Sequence, residues 1–218
     1  MTDAPRPSLH YFQDTLCGWC YGFGPVMLRL ADVWADRLDV FVYAGGMVTG
    51  DRVGPLKEKA PYIETAYKRV EELTGIRFGD AFVHDVLAKG ELVLDSFAPS
   101  CALATMRLLQ PASVMTFSHR LQQALYRDGH DLSSDAVYHA LATEFGVDAD
   151  QFVAIMRSDE IAAAVREEFA YVAELGISGF PTLILAIGDE AHVVAHGFAP
   201  FEEIDTVLTA TLGPASAQ

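Results

Sequence analysis

The sequence predicts an α/β fold whose sheet-forming segments lie towards the two ends of the chain, with a large all-helical insertion between strands two and three. Three observations carry this. Short runs rich in β-forming residues fall at 9–12, 39–43, 182–187 and 192–196. Between 49 and 176 the apolar residues recur at helical spacing. No repeat or low-complexity linker separates the two kinds of pattern, as expected when a helical block interrupts one fold.

Leu9-His10-Tyr11-Phe12 reads as a strand, followed by the loop Gln13-Asp14-Thr15. A helix then begins around Cys17-Gly18-Trp19-Cys20, with Val26, Leu30, Val33 and Trp34 on one face, Arg37 in its last turn and Pro25 expected to kink it. Asp39 to Tyr43 is a second strand, ended by Gly45-Gly46. Pro61 opens a helix with the stripe Ile63, Ala66, Tyr67, Val70 and Leu73, closed by Gly75. Phe82 to Leu87 forms a short helix ending near Gly90. Pro99 starts another, with Cys101, Ala104 and Leu108 on one face; Val114, Phe117, Leu121 and Leu125 mark the next. Ser133 or Ser134 caps a helix carrying Val137, Leu141 and Phe145, and Phe152 to Met156 form a brief one. Asp159 is read as the cap of a longer helix running to Leu175. Ser178-Gly179-Phe180-Pro181 is a turn, Thr182 to Ile187 a buried strand, Gly188-Asp189-Glu190 a hairpin connection and His192 to His196 a further strand. Pro200 opens a terminal helix with Ile204, Val207, Leu208 and Leu212.

Composition narrows the function classes. The 218 residues, 51% of them hydrophobic, suffice for one large domain or a core domain with an insertion. The net charge of −15, without a Lys/Arg cluster, disfavours nucleic acid and anionic membrane as partners. No apolar stretch reaches the roughly 18 residues of a membrane span, and residues 1–8 lack the pattern of a secretory signal. The three cysteines, Cys17, Cys20 and Cys101, do not make a disulfide framework; they suit a reducing compartment, here the cytoplasm, with one reactive pair.

Two cysteines separated by two residues form a redox pair or half of a zinc site. A structural zinc site needs two more ligands, and the histidines are scattered; His192 and His196, read as sharing a strand face, lie ~13 Å apart at strand rise. No metal is therefore expected. As a redox pair, the cysteines sit where a helix follows a strand, and the free N–H groups and positive end of that helix stabilise a thiolate. Cys17, the outer residue, is the expected nucleophile and Cys20, about one turn in, its resolving partner. Gly18 keeps the turn permissive and Trp19 offers an apolar surface to substrate. Asp14 is read as a loop or helix-start residue and Cys101 as a small buried hydrophobe.

The segment from Tyr11 to Gly22, centred on Cys17-Gly18-Trp19-Cys20, resembles the active-site stretch of DsbA-like proteins of the thioredoxin superfamily, within them the FrnE-like and predicted protein-disulfide isomerase group. A second match, Gly176-Ile177-Ser178-Gly179-Phe180-Pro181-Thr182-Leu183, resembles the loop that carries the cis-proline of that superfamily. The resemblance implies a thioredoxin-like domain from residues 1–48 plus 177–218 and a helical insertion domain from 49–176. It also implies a cis Phe180–Pro181 bond facing the cysteines, with the Phe180 backbone available to an extended substrate. The Gly-Trp dipeptide departs from the periplasmic oxidases of the family, and in a reducing compartment the pair favours reduction or isomerisation of disulfides. The expected substrate is a disulfide-bearing protein or a small thiol compound, with glutathione as co-substrate and no other cofactor. Two other functions stand beside it: an isomerase or transferase of the 2-hydroxychromene-2-carboxylate isomerase and kappa-class glutathione transferase type, in which Ser typically replaces the first Cys, and a non-enzymatic binding module.

Overall fold

The computed structural model describes residues 6–215, so most of the N-terminal segment read for a leader lies outside the described residues. Strand β1 (Ser8–Gln13) leads into helix α1 (Gly18–Val33), which returns the chain to β2 (Asp39–Ala44). β2 pairs with β1 in parallel, Tyr11 opposite Val42. The chain rejoins this sheet at β5 (Thr182–Ile187) and β6 (Glu190–His196), both antiparallel to their neighbours, in the order β2-β1-β5-β6. β1 is thus an inner strand, and its inward residues Leu9 and Tyr11 are fully buried. A last helix, α8 (Phe201–Leu212), packs on β6 and α1.

The intervening chain is helical apart from one two-residue ladder, β3 (Gly54–Pro55) with β4 (Val93–Leu94). Its helices are α2 (Ala60–Thr74), α3 (Phe97–Leu109), α4 (Val114–Tyr126), α5 (Asp135–Glu144), α6 (Ala149–Met156) and α7 (Asp159–Glu174). α4 and α2 lie against α1, while α7 packs on α3 and against β2. Both parts share one continuous apolar core, from Leu9, Phe23 and Trp34 to Phe117, Tyr138 and Phe152.

Several local expectations change. α1 continues through Pro25 as a helix and ends at Val33, so Arg37 lies beyond its last turn. Residues Ala81–Leu87 form a π-helical segment. It is seated against the end of α4 through Gly79, whose N–H donates to the Tyr126 carbonyl at 2.8 Å and whose Cβ, if present, would lie 1.9 Å from the Arg127 carbonyl oxygen. The cap of α7 is Ser158, not Asp159: its hydroxyl accepts from the Ile161 N–H, and Asp159 falls in the first turn, where its charge suits the helix dipole. Leu73 and Leu108, expected on inward faces, are exposed at the ends of α2 and α3. In β6, Ala195 pairs with Leu183 but Val193 pairs with Ile184, so Val194 is skipped. This one-residue bulge reverses the side-chain alternation and puts His192 and His196 on opposite faces, not the same one.

Candidate active site

The cysteine pair sits where β1 turns into α1. Cys17 is the N-cap of that helix, in extended conformation, and its Sγ accepts from the Cys20 N–H at 3.4 Å. The sulfur thereby takes the place that a Ser or Asp oxygen usually fills at a helix start, against the positive end of the dipole. Cys17 is 6% exposed and Cys20 is fully buried, so Cys17 is the more accessible of two buried thiols. Both are free thiols. Burial, and after it the neighbouring Cys17, push the Cys20 thiol well above its ordinary value.

The Phe180–Pro181 peptide is cis, and the Phe180 carbonyl accepts from the Cys17 thiol at 3.4 Å across 163 residues of sequence. The tip of the Phe180 ring approaches the backbone of Gly45: a Cβ there would sit 2.0 Å from the ring. Gly45 therefore does more than end β2. It leaves the space in which the proline loop is held.

Asp14 is the hub of the loop before Cys17. Its buried carboxylate accepts from the Leu16 N–H (2.9 Å) and the Ser96 hydroxyl (2.9 Å) through Oδ1, and from the Met47 N–H (2.7 Å) through Oδ2. Three segments distant in sequence meet on one side chain. Burial raises its carboxyl above the usual range even against these hydrogen bonds. Tyr126 of α4 completes the clamp, its hydroxyl donating to the Leu16 carbonyl at 2.5 Å.

Behind Cys20 lies a buried polar cluster. Gln122 of α4 donates to Gln13 Oε1 at 2.9 Å. The Tyr11 hydroxyl faces Cys20 and Gln122 without reaching hydrogen-bond geometry to either. His119 closes in because Gly24 has no side chain; a Cβ there would lie 2.0 Å from His119 Nδ1. Burial holds the His119 imidazole below its ordinary value.

In front of Cys17 opens a cavity of about 340 Å³ between α1, α2 and Phe78, which follows α2. Gly18 and Trp19 form its wall on the α1 side, and Ile63, Tyr67 and Phe78 the other. The structure therefore brings Cys17, Gly18, Trp19, Cys20, Phe180 and Pro181 to one place. Sequence reasoning missed the Asp14 anchor and the Gln13–Gln122–Tyr11 cluster. The signal for Asp14 was its place three residues before the pair; a buried Gln122 beside the apolar stripe of α4 left none. Cys101 is remote from the pair, buried in α3, with its thiol pushed up to about 11 by burial. Tyr21 and Phe23 are core residues. Among the described residues no group of three or more His, Cys, Asp or Glu is placed to hold a metal ion, and no helix is long and apolar enough to cross a membrane.

Known proteins share this fold. The chain is 28% identical to a candidate protein disulfide isomerase from Nitrosomonas europaea, covering 95% of this chain and 98% of that one with a TM-score of 0.85. It is 27% identical to the cytosolic disulfide reductase DsbM from Pseudomonas aeruginosa over 94% and 98% of the two chains, TM-score 0.78; that protein has also been solved with GSH. Among curated relatives, the ClpXP adapter protein SpxH of Halalkalibacterium halodurans is 21% identical over 94% of this chain and 67% of its own length. The DSBA-like thioredoxin domain matches residues 8–209, and the chain belongs to that family.

Proposed function

We propose that the protein is a thiol–disulfide oxidoreductase that reduces or isomerises disulfides through Cys17 and Cys20 in a reducing cytoplasm. The observation that carries this reading is the Cys17 sulfur at the start of α1, touched by the Cys20 N–H behind it and the Phe180 carbonyl beside it. In the reductive cycle the Cys17 thiolate attacks one sulfur of a substrate disulfide, and the other sulfur leaves as a thiolate. The resulting mixed disulfide is opened when Cys20 loses its proton and attacks the Cys17 sulfur. The second substrate thiolate departs, and two electrons have passed from the dithiol to the substrate. Two equivalents of an external thiol restore the pair; the similarity to a disulfide reductase solved with GSH favours glutathione in that role. In isomerisation the substrate's own thiol displaces Cys17 instead. The high thiol value of Cys20 fits a resolving group that stays protonated until the mixed disulfide forms. Gly18, Trp19 and the Phe180–Pro181 loop line the place where substrate docks.

Replacing Cys20 with alanine tests the reading. Incubation of Cys20→Ala with a disulfide should leave a stable adduct on Cys17, visible as a mass increment and reversed by dithiothreitol, while multiple turnover stops. Full turnover without an adduct would instead indicate a transferase or isomerase of the single-nucleophile kind.

A further inference from the structure

We infer that the cavity in front of Cys17 selects a small-molecule disulfide that carries an aromatic-sized apolar group and a carboxylate. This rests on the thiol–disulfide reading above and goes on to name the substrate class. Access comes first. Cys17 is 6% exposed and lines a cavity whose opposite wall is α2, so a disulfide reaching the sulfur from this side has to enter the cavity. Size is next. About 340 Å³ falls at the low end of small-ligand clefts, and a cavity of about 150 Å³ already holds a benzene ring. A ring and the reacting S–S group fit together; a protein domain does not.

The chemistry of the walls supplies the rest. Trp19, Ile63, Tyr67 and Phe78 make an apolar interior. The charged residues lining the cavity are Arg52 and Lys59, and no Asp or Glu lines it, although the whole chain carries a net charge of −15. A local reversal of sign at the mouth of an apolar cavity is complementary to an amphipathic anion. Arg52 is partly engaged, donating to the Gly46 carbonyl at 3.2 Å and lying near buried Asp14. Lys59 is exposed at the foot of α2. The bound substrate thus places its ring between Trp19 and Phe78, its carboxylate towards Lys59 and Arg52, and its disulfide at Cys17. Attack by Cys17 releases one half as a thiolate, Cys20 releases the other, and external thiol reduces the pair again, as above.

The test uses the full chain and four disulfides: 5,5′-dithiobis(2-nitrobenzoate), aromatic and anionic; 4,4′-dithiodipyridine, aromatic and uncharged; 2-hydroxyethyl disulfide, neither; and insulin, a folded protein. Each rate is divided by that of free glutathione with the same probe, which cancels intrinsic reactivity. The normalised rate should be about tenfold higher for the nitrobenzoate than for the hydroxyethyl probe, the scale of burying one apolar group. It should exceed that for dithiodipyridine about threefold, the scale of a rim ion pair, and Lys59→Gln should erase this second ratio. Ala66→Leu, which fills the cavity from α2, should collapse the aromatic-to-hydroxyethyl ratio towards one. Equal normalised rates for the three small probes, or insulin reduced with an enhancement equal to theirs, would overturn the inference and leave the exchange chemistry standing. No enhancement with any probe, together with no adduct on Cys20→Ala, would instead remove the proposed function beneath it.

Discussion

Removing the Asp14 carboxylate should loosen the active-site loop and do so in a pH-dependent way. Asp14→Ala leaves the Leu16 N–H, the Met47 N–H and the Ser96 hydroxyl without their common acceptor at a position that is 1% exposed. Each buried donor left unpaired costs about 1–3 kcal/mol. Because three donors share one acceptor, and local relaxation recovers part of the loss, the expected total is about 3–5 kcal/mol, at the upper end for single substitutions. For a chain of this length that corresponds to a fall in Tm of roughly 6–20 °C. In the unfolded chain the carboxyl titrates near its ordinary value of about 3.9. In the folded protein burial raises it, so between the two values the native state holds a proton that the unfolded state has lost. Wild-type stability from this group is therefore greatest below about pH 3.9 and declines as pH rises through the folded value. The gap between wild type and Asp14→Ala should narrow over that window and then stay level. Denaturant unfolding of both proteins at a series of pH values measures it. A loss below about 1 kcal/mol would show that the hub is not a mechanical anchor. A gap that widens with rising pH would show that the three hydrogen bonds outweigh burial.

Four further substitutions probe the surroundings. Gly45→Ala puts a Cβ 2.0 Å from the Phe180 ring and should cost about 1–3 kcal/mol by overpacking. Because the Phe180 carbonyl touches Cys17, disulfide reduction should slow in the same variant, and an unchanged melt and rate together would contradict this placement. Glu168 of α7 binds Arg107 at 2.6 and 3.1 Å and accepts from the Ala44 N–H at 2.5 Å, so Glu168→Gln should detach α7 from the end of β2 at a cost of about 1–3 kcal/mol, read by urea unfolding. Ser158→Ala removes the cap of α7 and should cost about 1 kcal/mol, whereas Asp159→Ala should cost less; the reverse ranking would restore Asp159 as the cap.

Much of the architecture was legible because it is written in short windows. The strand at Thr182–Ile187 is a run of apolar and β-branched residues, and α2 opens at Pro61 and closes at Gly75, which adopts φ of +75°. The redox pair and the Phe180–Pro181 turn were each visible as local motifs, and the resemblance joined them. What was misread depends on neighbours from elsewhere. The bulge at Val194 arises in pairing β6 with β5, and the π-helical turn sits where Gly79 meets the end of α4. The exposure of Leu108 depends on what other helices leave uncovered.

The sequence by itself determined the four main strands and most of the helices, the identity of the two sulfurs and their place at a helix start, since each of these is set by dihedral preference and side-chain chemistry within a few residues. Only the tertiary structure decided that Asp14, Met47 and Ser96 share one buried carboxylate, that Gln122 lies behind Cys20, and that a cavity with Lys59 at its mouth opens before Cys17. Those features exist only once segments 30 to more than 100 residues apart are packed out of water, and hydrophobic burial, which drives that packing, is indifferent to the order in which the chain supplies its pieces.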